Sequence, residues 1–173
     1  DGKSSATATL VASDLPEMME IEPNNDVKIA SQVTLPCAVN GILGDSADQD
    51  CYQFAAVKGQ AIAFRAVSRS LGSPALLFMR LLDADGGQLA ETAVNTEEEF
   101  TLAHTFAADG IYHLMVYDLL RRGGPEYAYR VEMASNVGFA LSLKNDKATA
   151  IKFTTTLTSG AFALDVQCAR SGF

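Results

Sequence analysis

Apolar residues at every second position constrain this chain more than anything else in it. Phe100, Leu102, His104 and Phe106 share one face of an extended segment, as do Tyr112, Leu114 and Val116, then Tyr127, Tyr129, Val131 and Met133. A repeat of two is that of a strand with one buried face, and the 3.6-residue repeat of a helix is almost absent. Turn signals stand between the segments: Lys58-Gly59, Asp85-Gly86-Gly87, Asp109-Gly110 and Gly123-Gly124-Pro125. Many short strands with glycine-rich turns predict an all-β chain folded as an antiparallel β-sandwich. Further strands are expected near 37–42, 51–57, 60–68, 75–83 and 88–92. One helical turn is expected from Asp26 to Ser31, capped by Asn24 or Asn25.

The ends differ from the middle. A lone strand-like run at 6–12 precedes a linker from Pro16 to Glu22, and residues 136–173 offer candidate strands near 138–143, 149–157 and 161–168. The expected organisation is an N-terminal strand and linker over 1–16, a sandwich over 17–135 and additional β-strands over 136–173. A tail of about 38 residues buries no stable core alone, so it packs on the sandwich or begins a further β domain.

A net charge of −8, with no basic cluster larger than Arg121-Arg122, argues against nucleic acid and anionic membrane surfaces as partners. No apolar run is long enough to span a bilayer. No leader is legible and the chain does not begin with Met, which fits a processed chain or a piece of a longer one. Cys37 and Cys51 fall in consecutive strands, as a bridge or as two buried thiols, and Cys168 continues the alternating face of Phe162, Leu164 and Val166.

Catalytic constellations are missing. His104 lies on a core-facing register; His113 alternates with Tyr112 and Leu114 and faces solvent or the opposite layer. Gly44-Asp45-Ser46 has no glycine two residues after the serine and no histidine late in the chain, so it is no nucleophile elbow. Asp83-Ala84-Asp85-Gly86 lacks the glycine and glutamate that an EF-hand needs and reads as a hairpin turn, while Glu97-Glu98-Glu99 reads as solvated. The chain is expected not to be an enzyme. Two acidic stretches remain, Glu20-Ile21-Glu22-Pro23-Asn24-Asn25-Asp26 and Gly44-Asp45-Ser46-Ala47-Asp48-Gln49-Asp50. Oxygen donors without histidine or cysteine suit calcium, which takes about 6–8 oxygens and would need both loops. The alternative is two solvated turns.

The ordered series Glu20-x-Glu22-Pro23-Asn24-Asn25, Leu35-Pro36, Val39-Asn40-Gly41, Asp48-x-Asp50-x-Tyr52-x-Phe54, Lys58-Gly59-Gln60, Leu71-Gly72-Ser73-Pro74, Leu81-Leu82-Asp83-Ala84-Asp85-Gly86, Ala108-Asp109-Gly110-x-Tyr112 and Val116-x-Asp118 resembles the bacterial pre-peptidase C-terminal domain, over roughly residues 17–134. The resemblance implies a jelly-roll-like β-sandwich carried as a non-catalytic module by secreted or cell-envelope proteins, monomeric and attached to neighbouring domains of the same polypeptide. The collagen-binding domains of bacterial collagenases are its relatives, and there the acidic N-terminal segment shares calcium with a second loop. Carried over, this implies Glu20, Glu22, Asn24, Asn25, Asp48 and Asp50 as calcium ligands, with Asp45 as the alternative to Asp48. Residues 138–173 resemble the opening strands of an immunoglobulin-like repeat. Binding of a polysaccharide or of a fibrous protein such as collagen is the second reading. With no tryptophan in the chain, Tyr52 and Tyr117 are its best surface candidates.

Overall fold

A computed structural model of the protein describes residues 13–93, 100–135, 138–143 and 166–171, the last two segments by backbone alone. The chain divides into two compact units, Asp1–Ser135 and Asn136–Phe173. In the first unit the described strands are β1 (Glu17–Met19), β2 (Ser31–Gln32), β3 (Cys37–Ile42), β4 (Gln49–Ala56), β5 (Ala61–Val67), β6 (Leu77–Leu82), β7 (Gln88–Glu91), β8 (Phe100–Thr105), β9 (Gly110–Asp118) and β10 (Ala128–Ser135). In the second, β11 (Gly138–Leu143) pairs antiparallel with β12 (Val166–Ser171).

Two five-stranded sheets form the sandwich, in the orders β1-β3-β10-β5-β8 and β2-β4-β9-β6-β7. Successive strands β3, β4, β5 and β6 alternate between the sheets, and so do β8, β9 and β10; with β7 beside β6 this is the eight-strand jelly-roll order. The short end strands β1 and β2 are added in parallel, β1 on β3 and β2 on β4. Alternation puts Tyr52, Phe54 and Ala56 of β4, Ile62 and Phe64 of β5 and Leu114 and Val116 of β9 into one core. Phe54 sits 5.6 Å from Phe64 and 5.9 Å from Phe106 between ring centroids, and Phe106 sits 4.4 Å from Tyr112.

Several expectations need correction. The Pro16 to Glu22 linker contains β1. No helix forms from Asp26 to Ser31; Ile29 N donates to Asp26 O at 3.0 Å and Lys28 N to the Asp26 side chain at 2.9 Å, an isolated turn closed by an aspartate. Neither asparagine caps it: the Asn24 side chain is buried against Glu22 and Asp50, and the Asn25 amide donates to Asp48. The 3-10 turn among the described residues is Arg69–Leu71. Cys37 and Cys51 are free and fully buried, and burial pushes their thiols up to about 11 and about 12. Tyr52 and Tyr117 are buried, not surface platforms: Tyr52 faces the core, and Tyr117 lies under Arg121, whose guanidinium stands 4.1 Å from the ring centroid. His113 is buried as well, its Nδ1 lying 3.2 Å from the Asp83 carbonyl. The Asp83 turn is a hairpin, as read, with the Asp83 carboxylate accepting from Asp85 N and Gly87 N. The readings at 6–12, 149–157, 161–165 and Glu97 to Glu99 lie outside the described residues.

Loops that close one end of the sandwich meet with no room between them. A Cβ on Gly123 would run into the backbone of Asp45, while Ala47 N donates to Arg121 O at 3.1 Å. Gly123→Ala is therefore expected to cost about 3 kcal/mol and lower the melting temperature by about 10 °C. A shift of under about 2 °C in a melting curve would show that these loops part freely.

Candidate metal centre

The site is built where β1 joins the first sheet. Parallel pairing of Glu17 to Met19 with Ala38 to Asn40 carries the chain on so that Glu20 N donates to Asn40 O at 2.9 Å. Glu20 then reaches the end of β3, its Oε1 accepting from Ile42 N at 2.7 Å. At the other end of β1, Glu17 pairs with the buried Arg130, which also holds Glu132 at 3.3 Å. β1 is thus fastened at both ends by carboxylates. Gly41 makes the fastening by Glu20 possible, since a Cβ there would stand 2.5 Å from both Glu20 Oε2 and the Tyr129 hydroxyl.

Glu20, Glu22 and Asp50 converge, each offering an oxygen within 4.8 Å of the others. Asp50, fully buried at the start of β4, accepts from the Tyr129 hydroxyl at 2.6 Å, and Tyr52 and Tyr129 share a hydrogen bond of 2.6 Å behind it. Glu20 Oε2 is buried and has no hydrogen-bond partner. The Glu22–Pro23 peptide is cis, and Glu22 Oε2 accepts from Asn24 N at 2.9 Å. Asn24 is fully buried, and with its NH2 turned inward it donates to Asp50 Oδ1 at 2.9 Å and to Glu22 Oε2 at 3.3 Å. Rotating that amide by half a turn puts its oxygen among the carboxylates instead.

The other two residues of the expected set form a separate pair. Asn25 Nδ2 donates to Asp48 Oδ1 at 2.7 Å, and Asp48 also accepts from Gln49 N at 2.8 Å and from Gly44 N at 2.6 Å. Both Asp48 oxygens are therefore engaged in shaping their own loop. The Asp45 side chain is exposed, and its backbone is what meets Gly123. Sequence reasoning missed Tyr129 and Tyr52 as partners of the cluster. Tyr129 falls on the same alternating face as Val131 and Met133, which gave no sign that its hydroxyl meets a carboxylate.

Gathering like charges out of water raises the cost of ionising them. Burial, with the charges of Glu20, Asp48 and Glu22, pushes the Asp50 carboxyl up to about 8 against the opposing hydrogen bond from Tyr129. Glu20 is raised too, by burial first and, less, by the charges of Glu22 and Asp48, although the Ile42 amide and the Asp50 carboxyl pull the other way. Such a cluster is relieved by protons or by a cation. Its all-oxygen donor set, with no histidine or sulfur, fits a hard divalent ion. What the arrangement can do chemically is hold a cation.

No protein-family model matches the chain, and no curated protein matches it. Among solved structures, its fold is similar to the pre-peptidase C-terminal domain of a collagenase from Bacillus anthracis, at 17% identity and a TM-score of 0.50, covering 66% of this chain and 99% of that one. PliG of Aeromonas hydrophila, a periplasmic inhibitor of g-type lysozyme, matches at 11% identity and a TM-score of 0.40, covering 60% of this chain and 96% of that one. Among the described residues no helix is long and apolar enough to cross a membrane. Two thirds of this chain thus carry the fold of a pre-peptidase C-terminal domain, the architecture that its ordered motifs lead one to expect.

Proposed function

We propose that this chain is a non-catalytic accessory module of a larger secreted or cell-envelope protein, and that a calcium ion at Glu20, Glu22, Asn24 and Asp50 fastens its N-terminal segment to the sandwich. The observation that carries this reading is the convergence of three carboxylates on the unpartnered, buried Glu20 Oε2. In this reading Asn25 and Asp48 are the outer support that sets the loop, and the Asn24 amide turns its oxygen inward when metal enters. The solved domain with this fold is itself one domain of a collagenase, which supports a modular role. Residues 136–173 are read as the start of a further β domain, with β11 and β12 paired to one another.

Ordering a segment costs conformational entropy, and a metal bound only in the ordered state offsets that cost. The expected functional consequence is a fixed entry angle into the sandwich. Amide exchange of residues 17–25 should slow by about tenfold or more in calcium, while the strands β5 and β8 stay unchanged. Equal exchange in calcium and in chelator would remove the fastening role.

A further inference from the structure

β1 is the end strand of one sheet and β2 the end strand of the other, and a groove of about 300 Å³ is lined from both. Its floor is core: Val33, Val39 and Tyr52 line it. Its walls are apolar and open to solvent, with Met19 70%, Ile21 74% and Ile29 49% exposed. Single exposed apolar residues are routine on a folded domain, but three large ones around one concavity form a binding surface.

Charge selects the occupant. Glu22 lines the groove and belongs to the carboxylate cluster as well, and the Tyr52 ring lines it while its hydroxyl joins the chain of hydrogen bonds to Asp50. The segment from Glu17 to Val33 carries Glu17, Glu20, Glu22 and Asp26 against Lys28 alone. An anionic ligand is repelled there. A lysine matches both halves, with a four-carbon stem for the apolar walls and an ammonium for the acidic end. Among the described residues β1 and β2 each have a partner strand on one side only, and such an edge suits an extended polypeptide better than a free amine. We propose that in the metal-free chain this groove docks an extended polypeptide segment through a lysine, the stem lying on Met19, Ile21 and Ile29 and the ammonium at Glu22 in competition with a metal ion there.

The test is a methyl NMR titration of the whole chain, in chelator throughout so that the outcome does not depend on whether the carboxylates bind metal. N-acetyl-lysine amide should shift the Met18 and Met19 methyl signals saturably and bind about tenfold more tightly than N-acetyl-norleucine amide, which lacks only the ammonium. Acetyl-Val-Lys-Val amide should bind more tightly still, and n-pentylamine no better than the single residue. Glu22→Gln should erase the preference for lysine over norleucine, and Ile21→Ser should weaken both; each residue is exposed, so both variants are expected to keep the wild-type fold. Equal binding of the lysine and norleucine probes, equal binding of the tripeptide and the free amine, or unmoved methionine signals would overturn the proposal.

Discussion

Millimolar calcium is expected to raise the melting temperature of chelator-treated protein by about 8–12 °C. The size follows from mass action. Extracellular calcium sites of this kind have dissociation constants of about 0.1 mM, so 10 mM metal stands about 100-fold above it and adds about 2.7 kcal/mol to the folded state. For a sandwich of this length each kcal/mol moves the midpoint by about 3–5 °C. Glu20→Gln should remove most of the increment, because Glu20 supplies the buried oxygen that lacks a partner. An Asp45→Asn change should leave it intact, since that side chain is exposed and outside the cluster. Equal midpoints in calcium and chelator for the wild-type chain would count against the site.

Metal-free protein is expected to lose stability as pH rises, the reverse of ordinary acid denaturation. Asp50 ionises at its ordinary 3.8 in the unfolded chain and at about 8 in the fold. Between those values the folded state holds a proton that the unfolded state has released, so the unfolding free energy falls with increasing pH. The stabilisation is complete below pH 4 and is lost progressively up to about pH 8. Glu20, raised in the same direction, adds to the effect. In chelator the midpoint should fall by about 10 °C between pH 5 and pH 8. Asp50→Asn keeps an oxygen for the Tyr129 hydroxyl and carries no charge, so it should flatten the slope and make the metal-free protein more stable at pH 8 than the wild type. A wild-type midpoint that rises over this interval would contradict the burial of Asp50 as an unpaired charge.

The strands of the sandwich were legible because each buries one face. Phe100 to Phe106 and Tyr112 to Val116 sit on the faces that alternation assigns them. What covers the other face was not legible. Period two separates His113 and Tyr117 from the core, but the Asp83 hairpin and Arg121 cover them, and those contacts join residues distant in sequence. Tyr52, expected at the surface, shares its face of β4 with Phe54 and Ala56 and goes into the core with them.

For the site, residue types were readable and selection among them was not. Nothing in Glu20-Ile21-Glu22 foretells that β1 pairs in parallel with β3, yet that pairing carries Glu20 to Ile42 N and to the Asp50 carboxylate. Asp48 and Asp50 look equivalent in sequence. The backbone amides of Gly44 and Gln49 occupy the oxygens of Asp48, while Asp50, two residues on and inside β4, faces the other carboxylates.

Calorimetric titration of the metal-free chain with calcium at pH 7 decides whether the carboxylates around Asp50 are a cation site. One ion should bind per chain, with proton release because Asp50 is still protonated there and with the binding heat lost in Asp50→Asn. Absence of uptake at about 10 mM calcium, or binding that Asp50→Asn leaves unchanged, would contradict a cation site there.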